Sequence, residues 1–233
     1  MSLTPQALVN YVLRHMTVTT HYCSRQQHEN GYVMKSRVID DYNFIYVTRG
    51  KVIWIISEQN HPLTLGELVI VPPGIEHRAV GITPKVTLVS VHVEARLPGG
   101  QDVFQLLSPL RQQFISPTSR LHKYLCGSRD EWDRSAPADV PLFQPGWAHL
   151  ITRELFRSNA ESGLLKYRSS DPLSSAMLED LDTRLREPVT LGELARKSGF
   201  SAQHLNRIFR STLGVTPLQY RSRVRMERAA ALL

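Results

Sequence analysis

The segment from Thr190 to Pro217 constrains the fold of this chain most strongly, because it predicts two short helices joined by a tight turn. Thr190 is a good N-cap, and Glu193 follows it at the spacing of a capping box. Gly199 ends the first helix, since glycine adopts the left-handed C′ conformation without a steric cost. Ser201 then caps a second helix, so that both helix starts and the turn between them are specified locally.

The second predicted helix has an apolar and a polar face. The residues of the apolar face recur at helical spacing and are Leu205, Ile208, Phe209 and Thr212. The residues of the polar face are Gln203, Asn206, Arg207 and Arg210. Such a pair of helices is typical of a helix-turn-helix, in which the second helix enters the major groove of DNA. Paired amphipathic helices also occur in all-α domains without nucleic acid, so the pattern alone leaves both interpretations open.

The positive charge of the chain is concentrated at its C-terminal end. Residues 189–233 contain eight Lys/Arg and two Asp/Glu, whereas the other 188 residues contain 20 Lys/Arg and 19 Asp/Glu. Nearly all of the net charge of +7 therefore lies in the last fifth of the chain. Thr216 and Pro217 begin a further helix, on which we expect Arg221, Arg225 and Arg228 to form one basic stripe. This distribution favours binding to nucleic-acid phosphates.

The segment 189–233 resembles the first helix-turn-helix and the linker helix of AraC/XylS-type transcription regulators. The family pattern LA…GFS…L.R.F….G.TP..Y…R…A..LL is matched almost position for position. The resemblance implies base contacts by Gln203, Asn206 and Arg207, with Arg210 nearer the phosphates. It also implies a second helix-turn-helix, whereas this sequence ends at Leu233 inside the linker helix. We expect either a truncated regulator or a product that continues further.

Composition adds few constraints. The chain has 233 residues, of which 42% are hydrophobic, which is enough for one large or two small domains. The N-terminal stretch has no apolar segment that indicates export or membrane insertion, so we expect a cytoplasmic protein without a membrane partner. Cys23 and Cys126 lack metal-type spacing and are expected to be reduced thiols. A helix is predicted from Gln6 to His15, and the resemblance implies an arm here that can fold over a ligand pocket.

Residues 38–94 have the composition of short antiparallel strands, which we predict at 44–50, 51–57, 61–74 and 85–95. Strands at this spacing favour a small barrel or sandwich. The run from Gly66 to His77 resembles the second motif of the cupin barrel, which is G, five residues, P-x-G, two residues and H. The asparagine on which that motif ends is Gly81 here. The resemblance implies a double-stranded β-helix with His77 near its mouth.

His77 raises the question of a metal site. The first cupin motif, H-x-H followed by Glu, is missing from the window KSRVIDDYNFIYVTRG that ends at Gly50. A single imidazole does not make a metal site, so we predict no metal, no cofactor and no catalytic residue. We predict instead a polar ligand pocket that contains Arg37, Tyr42, His77, Ser90 and His92, the last two sharing one face of a strand. A His77 that is only hydrogen-bonded at the barrel rim is the alternative.

The segment 98–173 is predicted to be mostly helical. Residues 102–114 have helical spacing, with Phe104, Leu107, Leu110 and Phe114 forming a seam for a partner subunit or for the chain's own barrel. Residues 126–146 are interpreted as a loop, 147–159 as a helix and 158–172 as an interdomain linker. Ser174 and Ser175 are expected to cap a helix that ends at Pro188. The residues predicted to face inward from that helix are Met177, Leu178, Leu181 and Leu185.

We therefore predict an α+β, two-domain protein. The arm and a cupin-like β-barrel occupy 1–97, appended dimerisation helices and a linker 98–173, and an incomplete helix-turn-helix domain 174–233. The predicted function is a sequence-specific transcription regulator controlled by a small polar effector such as a sugar. Its expected partners are double-stranded DNA, a second copy of the chain and RNA polymerase. The alternatives are a truncated sensor that reads DNA poorly and, with an unusual metal site, a cupin metalloenzyme.

Overall fold

The computed structural model describes residues 6–98, 100–135, 140–167 and 175–230. Its helices are α1 (Gln6–His15), α2 (Val103–Leu106), α3 (Arg120–Arg134), α4 (Val140–Glu161), α5 (Ser175–Thr183), α6 (Leu191–Ser198), α7 (Ala202–Leu213) and α8 (Pro217–Ala230). Its strands are β1 (Thr17–His28), β2 (Val33–Arg37), β3 (Tyr42–Arg49), β4 (Val52–Ile56), β5 (Gln59–Leu63), β6 (Glu67–Val71), β7 (His77–Gly81), β8 (Val86–Arg96), β9 (Leu107–Ser108), β10 (Gln112–Phe114) and β11 (Lys166–Tyr167). Among the described helices, none has the length and apolar character of a membrane span.

These elements belong to two compact units. The β unit consists of Val18–Glu94 and Leu110–Ser158, and the helical unit consists of Met1–Thr17, Ala95–Pro109 and Asn159–Leu233. The predicted class, an α+β fold with an N-terminal antiparallel β structure and a C-terminal helical region, is confirmed. The predicted N-cap at Ser174 lies outside the described residues.

Two antiparallel sheets build the β unit. One has the strand order β1-β8-β3-β6-β10 and the other β2-β7-β4-β5. Both sheets contribute to one cluster of buried residues, which includes Ile45, Val47, Val69, Val71, Val86 and Leu88 from the first sheet and Val52, Trp54, Ile56, Leu63 and Ala79 from the second. Every second residue of a strand points to the same side, so membership of this core identifies the inner face of each strand.

Gly66 allows the turn that leads into β6. Its φ is +88°, a left-handed backbone conformation that residues with a side chain rarely adopt. A Cβ at this position would also lie 2.7 Å from Cε2 of Phe114 on the neighbouring strand β10. The glycine of the cupin-like sequence run is therefore required by backbone conformation, whereas the exposed ring of Phe114 can rotate away from a side chain there.

The predicted helix over 102–114 is wrong, and so is its seam of apolar residues. The helix α2 covers only four residues after the N-cap Asp102, and the chain then forms β9, which pairs with β11, and β10, which pairs with β6. Pro109 explains the early end, because a proline disfavours helical geometry in the residue before it and cannot continue the hydrogen-bond pattern. Leu110 and Phe114 are exposed rather than packed in a helical seam.

The loop predicted over 126–146 is also wrong over most of its length, since α3 reaches Arg134 and α4 begins at Val140. Ser119 caps α3 by accepting a hydrogen bond from the amide of His122. The Asp residues that favoured a loop lie on the outer side of α3, where Asp130 pairs with Arg129 and Asp133 pairs with Arg25 of β1. Its inner face is narrow and contains Leu121, Leu125 and Ser128.

Helix α1 has the predicted ends and packs within the helical unit. Tyr11 is completely buried, and its hydroxyl donates a hydrogen bond to the Leu213 carbonyl at 3.0 Å. Its ring centroid lies 5.2 Å from that of Tyr220. Leu8 and Val12 are buried beside it on the same helix face. The expected ligand-covering arm thus corresponds to a helix that completes the core of the helical unit.

We predict that Tyr11→Ala lowers the free energy of unfolding of the helical unit by about 3–5 kcal/mol, because it removes a buried aromatic ring. Tyr11→Phe should cost about 1 kcal/mol, because it removes only the hydroxyl, which donates to Leu213 and accepts from Arg223. Urea denaturation of the full chain, followed by circular dichroism, measures both effects. Asn10→Ala on the exposed side of α1 is the control, and a Tyr11→Ala variant as stable as this control would contradict the packing.

Candidate nucleic-acid interface and effector site

Helices α6 and α7 begin at the predicted caps. Thr190 Oγ1 accepts a hydrogen bond from the amide of Glu193, and Ser201 Oγ accepts one from the amide of His204, both at 3.2 Å. The Glu193 carboxylate also accepts the Thr190 amide, which completes the capping box. The hydrogen bond from Arg184, at 2.8 Å, is the main reason that the pKa of Glu193 lies below its ordinary value.

Gly199 makes the turn between these helices in the left-handed conformation, with φ of 73°. Its amide donates to the carbonyl of Arg196 at 3.3 Å, and the amide of Phe200 donates to the carbonyl of Ala195 at 3.0 Å. These bonds satisfy the last carbonyls of α6, as in a Schellman-type cap. The turn predicted from the sequence is confirmed, and it fixes the direction in which α7 leaves α6.

The two faces of α7 separate as its sequence pattern predicts. The buried residues are Leu205, Ile208, Phe209, Thr212 and Leu213. The four residues that we predicted to contact DNA lie together on the other side and line one shallow groove with Ser211. Sequence reasoning missed Ser211, which follows Arg210 and marks the end of the polar face.

His204 is a second residue that the sequence pattern did not single out. Its Nδ1 lies 3.1 Å from a terminal guanidinium nitrogen of Arg207, one helical turn later. Its ring lies against that of Phe200, with 4.9 Å between the ring centroids. The i, i+3 spacing that allows this contact is visible in the sequence, but the direction of both side chains is not.

The basic stripe predicted on α8 is interrupted, because Arg221 is buried. Its guanidinium donates to the carbonyl oxygens of Arg184 and Leu185, both at 3.3 Å, and to that of Glu187. It therefore satisfies the backbone that follows α5 rather than a DNA phosphate, which corrects its predicted role. Arg225 and Arg228 of the same stripe are exposed.

In the β unit, polar residues replace apolar ones at one end of the inner face of the first sheet. Asn43 lies opposite His92 in the pairing of β3 with β8, and Ser90 lies opposite the core residue Ile45. Ser90 Oγ donates to Asn43 Oδ1 at 3.0 Å. His92 Nδ1 lies 2.8 Å from Asp41 Oδ1 and carries the proton, since a carboxylate only accepts. These buried contacts form a polar layer next to the apolar core.

His77 brings the second sheet into this polar layer. It lies on the inner face of β7 with Ala79 and is almost completely buried. Its Nδ1 is 3.0 Å from the Ile75 carbonyl, and its Nε2 accepts from Arg37 Nε at 3.4 Å. Because a carbonyl only accepts and a guanidinium only donates, the imidazole carries its proton on Nδ1. Burial, with smaller effects of Arg37 and His92, lowers the pKa of His77 and favours the neutral ring.

Arg37 reaches His77 because β2 contains a bulge. Met34 pairs with Ala79 and Arg37 pairs with His77, so three steps on β2 correspond to two on β7. The extra residue turns Arg37 onto the face of Met34, which packs against the core, rather than the face of Lys35. Bulges commonly redirect a side chain next to a functional site.

Tyr42 is the predicted ligand residue that the structure does not bring into this layer. It pairs with Val93 and shares the outer face of β3 with Phe44 and Tyr46. The hydroxyl of Tyr46 lies 2.7 Å from Nδ1 of His122 in α3, so this face is directed to the helices of the β unit. Of the other four predicted residues, His77, Ser90 and His92 lie on inner faces, and Arg37 is exposed but reaches His77 with its guanidinium.

Two hydrogen-bond donors of the inner faces lack a partner among the described residues, namely Trp54 Nε1 and Asn43 Nδ2. The ring of Trp54 lies nearly parallel to that of His77, at an angle of 19° and a centroid distance of 6.4 Å. Among the neighbouring acceptors, Asn43 Oδ1 accepts Ser90 and His77 Nε2 accepts Arg37, whereas His92 presents a lone pair on Nε2. A buried donor without a partner costs about 1–3 kcal/mol, so this site is suited to a ligand that offers acceptors.

The described residues contain no group of three or more His, Cys, Asp or Glu side chains placed to hold a metal ion. His77 and His92 both belong to the polar layer, and each donates its Nδ1 proton, to Ile75 and Asp41 respectively, which leaves its lone pair on Nε2. The two cysteines are not paired with each other, and burial raises the pKa of Cys23 to about 12.

Two family models match the chain, and together they cover half of it. The AraC-like ligand binding domain matches residues 21–97, and the bacterial regulatory helix-turn-helix proteins of the AraC family match residues 181–222. The chain belongs to the AraC family of transcription regulators. The resemblance seen in the sequence is thereby confirmed, and the regulator carries the family's two functions, ligand binding and DNA binding.

Three solved structures that resemble the regulator each match about a third of it. A conserved Streptococcus pyogenes protein of unknown function, SPY1581, has a TM-score of 0.29 and 15% identity over 34% of this chain and 73% of the other. The Schizosaccharomyces pombe Cnp3 cupin domain has a TM-score of 0.30 and 13% identity, over 33% of this chain and 63% of the cupin domain chain. A salicylate 1,2-dioxygenase from Pseudoaminobacter salicylatoxidans has a TM-score of 0.29 and 15% sequence identity. The match covers 34% of this chain and 22% of the dioxygenase chain. Similarity of this extent assigns no activity, and comparison with curated proteins gives no match.

We predict that the stability of the regulator falls as the pH drops below about 6.5, in part because of His77. The unfolded imidazole takes up a proton near its ordinary value of 6.5, whereas the folded one, with its lowered pKa, does so only at lower pH. His77→Gln should therefore lose less melting temperature than the wild type between about pH 7.5 and about pH 5.5. His21→Gln, at a half-exposed position, is the control. Parallel pH profiles for wild type and His77→Gln would contradict this prediction.

Proposed function

We propose that the regulator reads DNA through the outer face of α7, with Gln203, Asn206 and Arg207 at base edges and Arg210 at a phosphate. The observation that carries this proposal is the groove in which these four residues lie together, opposite the buried face of α7. In a helix-turn-helix, the early residues of the second helix are those that reach the major groove. Gln203 to Arg207 occupy the first half of α7 and Arg210 its second half.

The chemistry of these side chains fits distinct partners. Arg207 can donate two parallel hydrogen bonds to O6 and N7 of guanine, and Gln203 or Asn206 can bind N6 and N7 of adenine. Arg210 supplies charge for the backbone and so adds affinity without sequence preference. The groove contains no carboxylate among its lining residues, so nothing in it competes with DNA for Arg207.

We further propose that the effector binds at the polar layer of the β unit, between Arg37, His77, Ser90 and His92. Trp54 and Asn43 support this location because each offers a buried donor without a partner among the described residues. Because Trp54 and Asn43 offer donors and Arg37 adds positive charge, we expect an effector rich in acceptors, such as a small carboxylate, rather than a neutral sugar. Tyr42, on the outer face of β3, is not part of the proposed site.

The regulator would act as a homodimer that places two reading helices on DNA and contacts RNA polymerase. An effector changes such an arrangement only if it binds one state more tightly than another. The chain offers a direct connection for this coupling, since α1 ends at His15 and β1 begins at Thr17. Thr20 of β1 donates a hydrogen bond to the carbonyl of His92, next to the proposed effector.

The DNA-reading proposal is tested with Arg207→Ala. In-vitro selection with the full chain first identifies its preferred DNA site. The variant should lose about 1–3 kcal/mol of discrimination at one base pair, because a bidentate contact to one base is removed. Titration of each single-base variant of that site, at several salt concentrations, measures this loss.

Arg210→Ala is the matched control for this experiment. It should weaken binding to all sequences equally and reduce the salt dependence by about one counterion. If Arg207→Ala also weakens all sequences equally, Arg207 contacts only the backbone and the proposed reading role is wrong.

The effector proposal is tested by thermal shift with matched pairs of small acids and neutral compounds, beginning with L-arabinonate and L-arabinose. Acids should produce the stabilising shifts, because their oxygens accept from Arg37, Trp54 and Asn43. Arg37→Met should abolish those shifts, whereas Lys35→Met, on the opposite face of β2, should preserve them. Shifts from neutral compounds only, or shifts unaffected by Arg37→Met, would contradict the proposed site.

A further inference from the structure

We propose that His204 is a positioning residue that holds Arg207 in the orientation needed for base recognition. This inference rests on the proposed reading role of Arg207. His204 is not among the residues that line the groove, so its effect on DNA recognition would act through Arg207. The 3.1 Å contact between His204 Nδ1 and the Arg207 guanidinium provides the connection.

The chemistry of this contact defines the state of the imidazole. A guanidinium has only N–H donors, so Nδ1 of His204 must offer its lone pair. The neutral ring then carries its proton on Nε2. This arrangement restrains the guanidinium and leaves its positive charge available to DNA. A carboxylate at the same place would also restrain Arg207, but it would neutralise that charge and repel the phosphates.

His204 is itself held in place from two directions. Its backbone amide is bound by the N-cap side chain of Ser201 at 3.2 Å. Its ring is 4.9 Å from the ring of Phe200, the residue that follows the Gly199 turn. The turn at Gly199 thus fixes Phe200. The ring of Phe200 restrains His204, and His204 in turn restrains Arg207.

Restraint matters because an arginine side chain has many rotamers, and a free side chain loses that freedom when it binds a base. A side chain already held near its bound orientation loses less, and rigid placement also penalises contacts with the wrong base. We therefore expect His204 to contribute to discrimination at the base pair that Arg207 reads, and not to sequence-independent binding.

Two substitutions separate the acceptor from the ring. His204→Phe keeps a ring beside Phe200 and removes the acceptor, whereas His204→Asn places an amide oxygen close to the position of Nδ1 and removes the ring. With the selected DNA site, His204→Phe should reduce discrimination at the Arg207 base pair by about three- to tenfold. His204→Asn should retain more of it. Affinity for scrambled DNA and its salt dependence should stay unchanged in both.

A double-mutant cycle with Arg207→Ala completes the test, with circular dichroism to compare the folding of all variants. If His204 acts through Arg207, His204→Phe has no further effect on discrimination in the Arg207→Ala background. An equal loss at every base pair, or an additive loss in the double variant, would overturn the inference. If Arg207→Ala alone leaves discrimination intact, the reading proposal fails first. If Arg207→Ala reduces discrimination but His204→Phe does not, His204 has no positioning role.

Discussion

The left-handed backbone at Gly199 is the constraint on which the DNA-binding surface depends. A residue with a side chain would be strained there by about 1–2 kcal/mol, and the two carbonyls that end α6 are satisfied only in this geometry. The turn sets the rotation of α7, so that Leu205 and Phe209 enter the core and Arg207 faces outward. One backbone torsion thus separates the residues that stabilise the helical unit from those available to DNA.

In the β unit, the comparable constraint is the two-residue period of a strand. Ser90 and His92 face inward because Leu88 does, and Tyr42 faces outward because Ile45 faces inward. The bulge in β2 interrupts this period, and it brings Arg37 to His77. The polar layer therefore follows from register rather than from any one interaction, and a shift of one residue would dismantle it.

What the sequence predicted correctly was local. Thr190, Gly199 and Ser201 specify caps and a turn through their immediate neighbours, and α1 was found at its predicted bounds. Arg221 could not be placed in this way, because its partners are carbonyl groups more than thirty residues earlier. The helical spacing of Phe104 and Leu107 was misleading, since Pro109 ends the helix and the following residues pair with distant strands.

The candidate site shows the same division. Gln203, Asn206 and Arg207 could be proposed from one helix because a helix defines its own faces. The five residues predicted to bind the effector, Tyr42 included, come from four strands of two sheets, so the sequence could select them correctly only if the inward-facing residues of each strand were known. Tyr42 has chemistry suited to a polar ligand, but its position in β3 places it on the outer face of the sheet. Arg37 was chosen for its chemistry, and a straight strand would have placed it with Lys35, on the other face.

The position of α1 bears on how the two functions of the regulator are coupled. Tyr11 belongs to the core of the helical unit, and the chain passes from α1 into β1 within two residues. Strand β1, whose Thr20 donates a hydrogen bond to the carbonyl of His92, is therefore continuous with α1, which belongs to the core of the helical unit. In the proposed mechanism, an effector that binds His92 differently in two states changes the free energy of this connection. The resulting coupling cannot exceed the difference between the effector's affinities for those states.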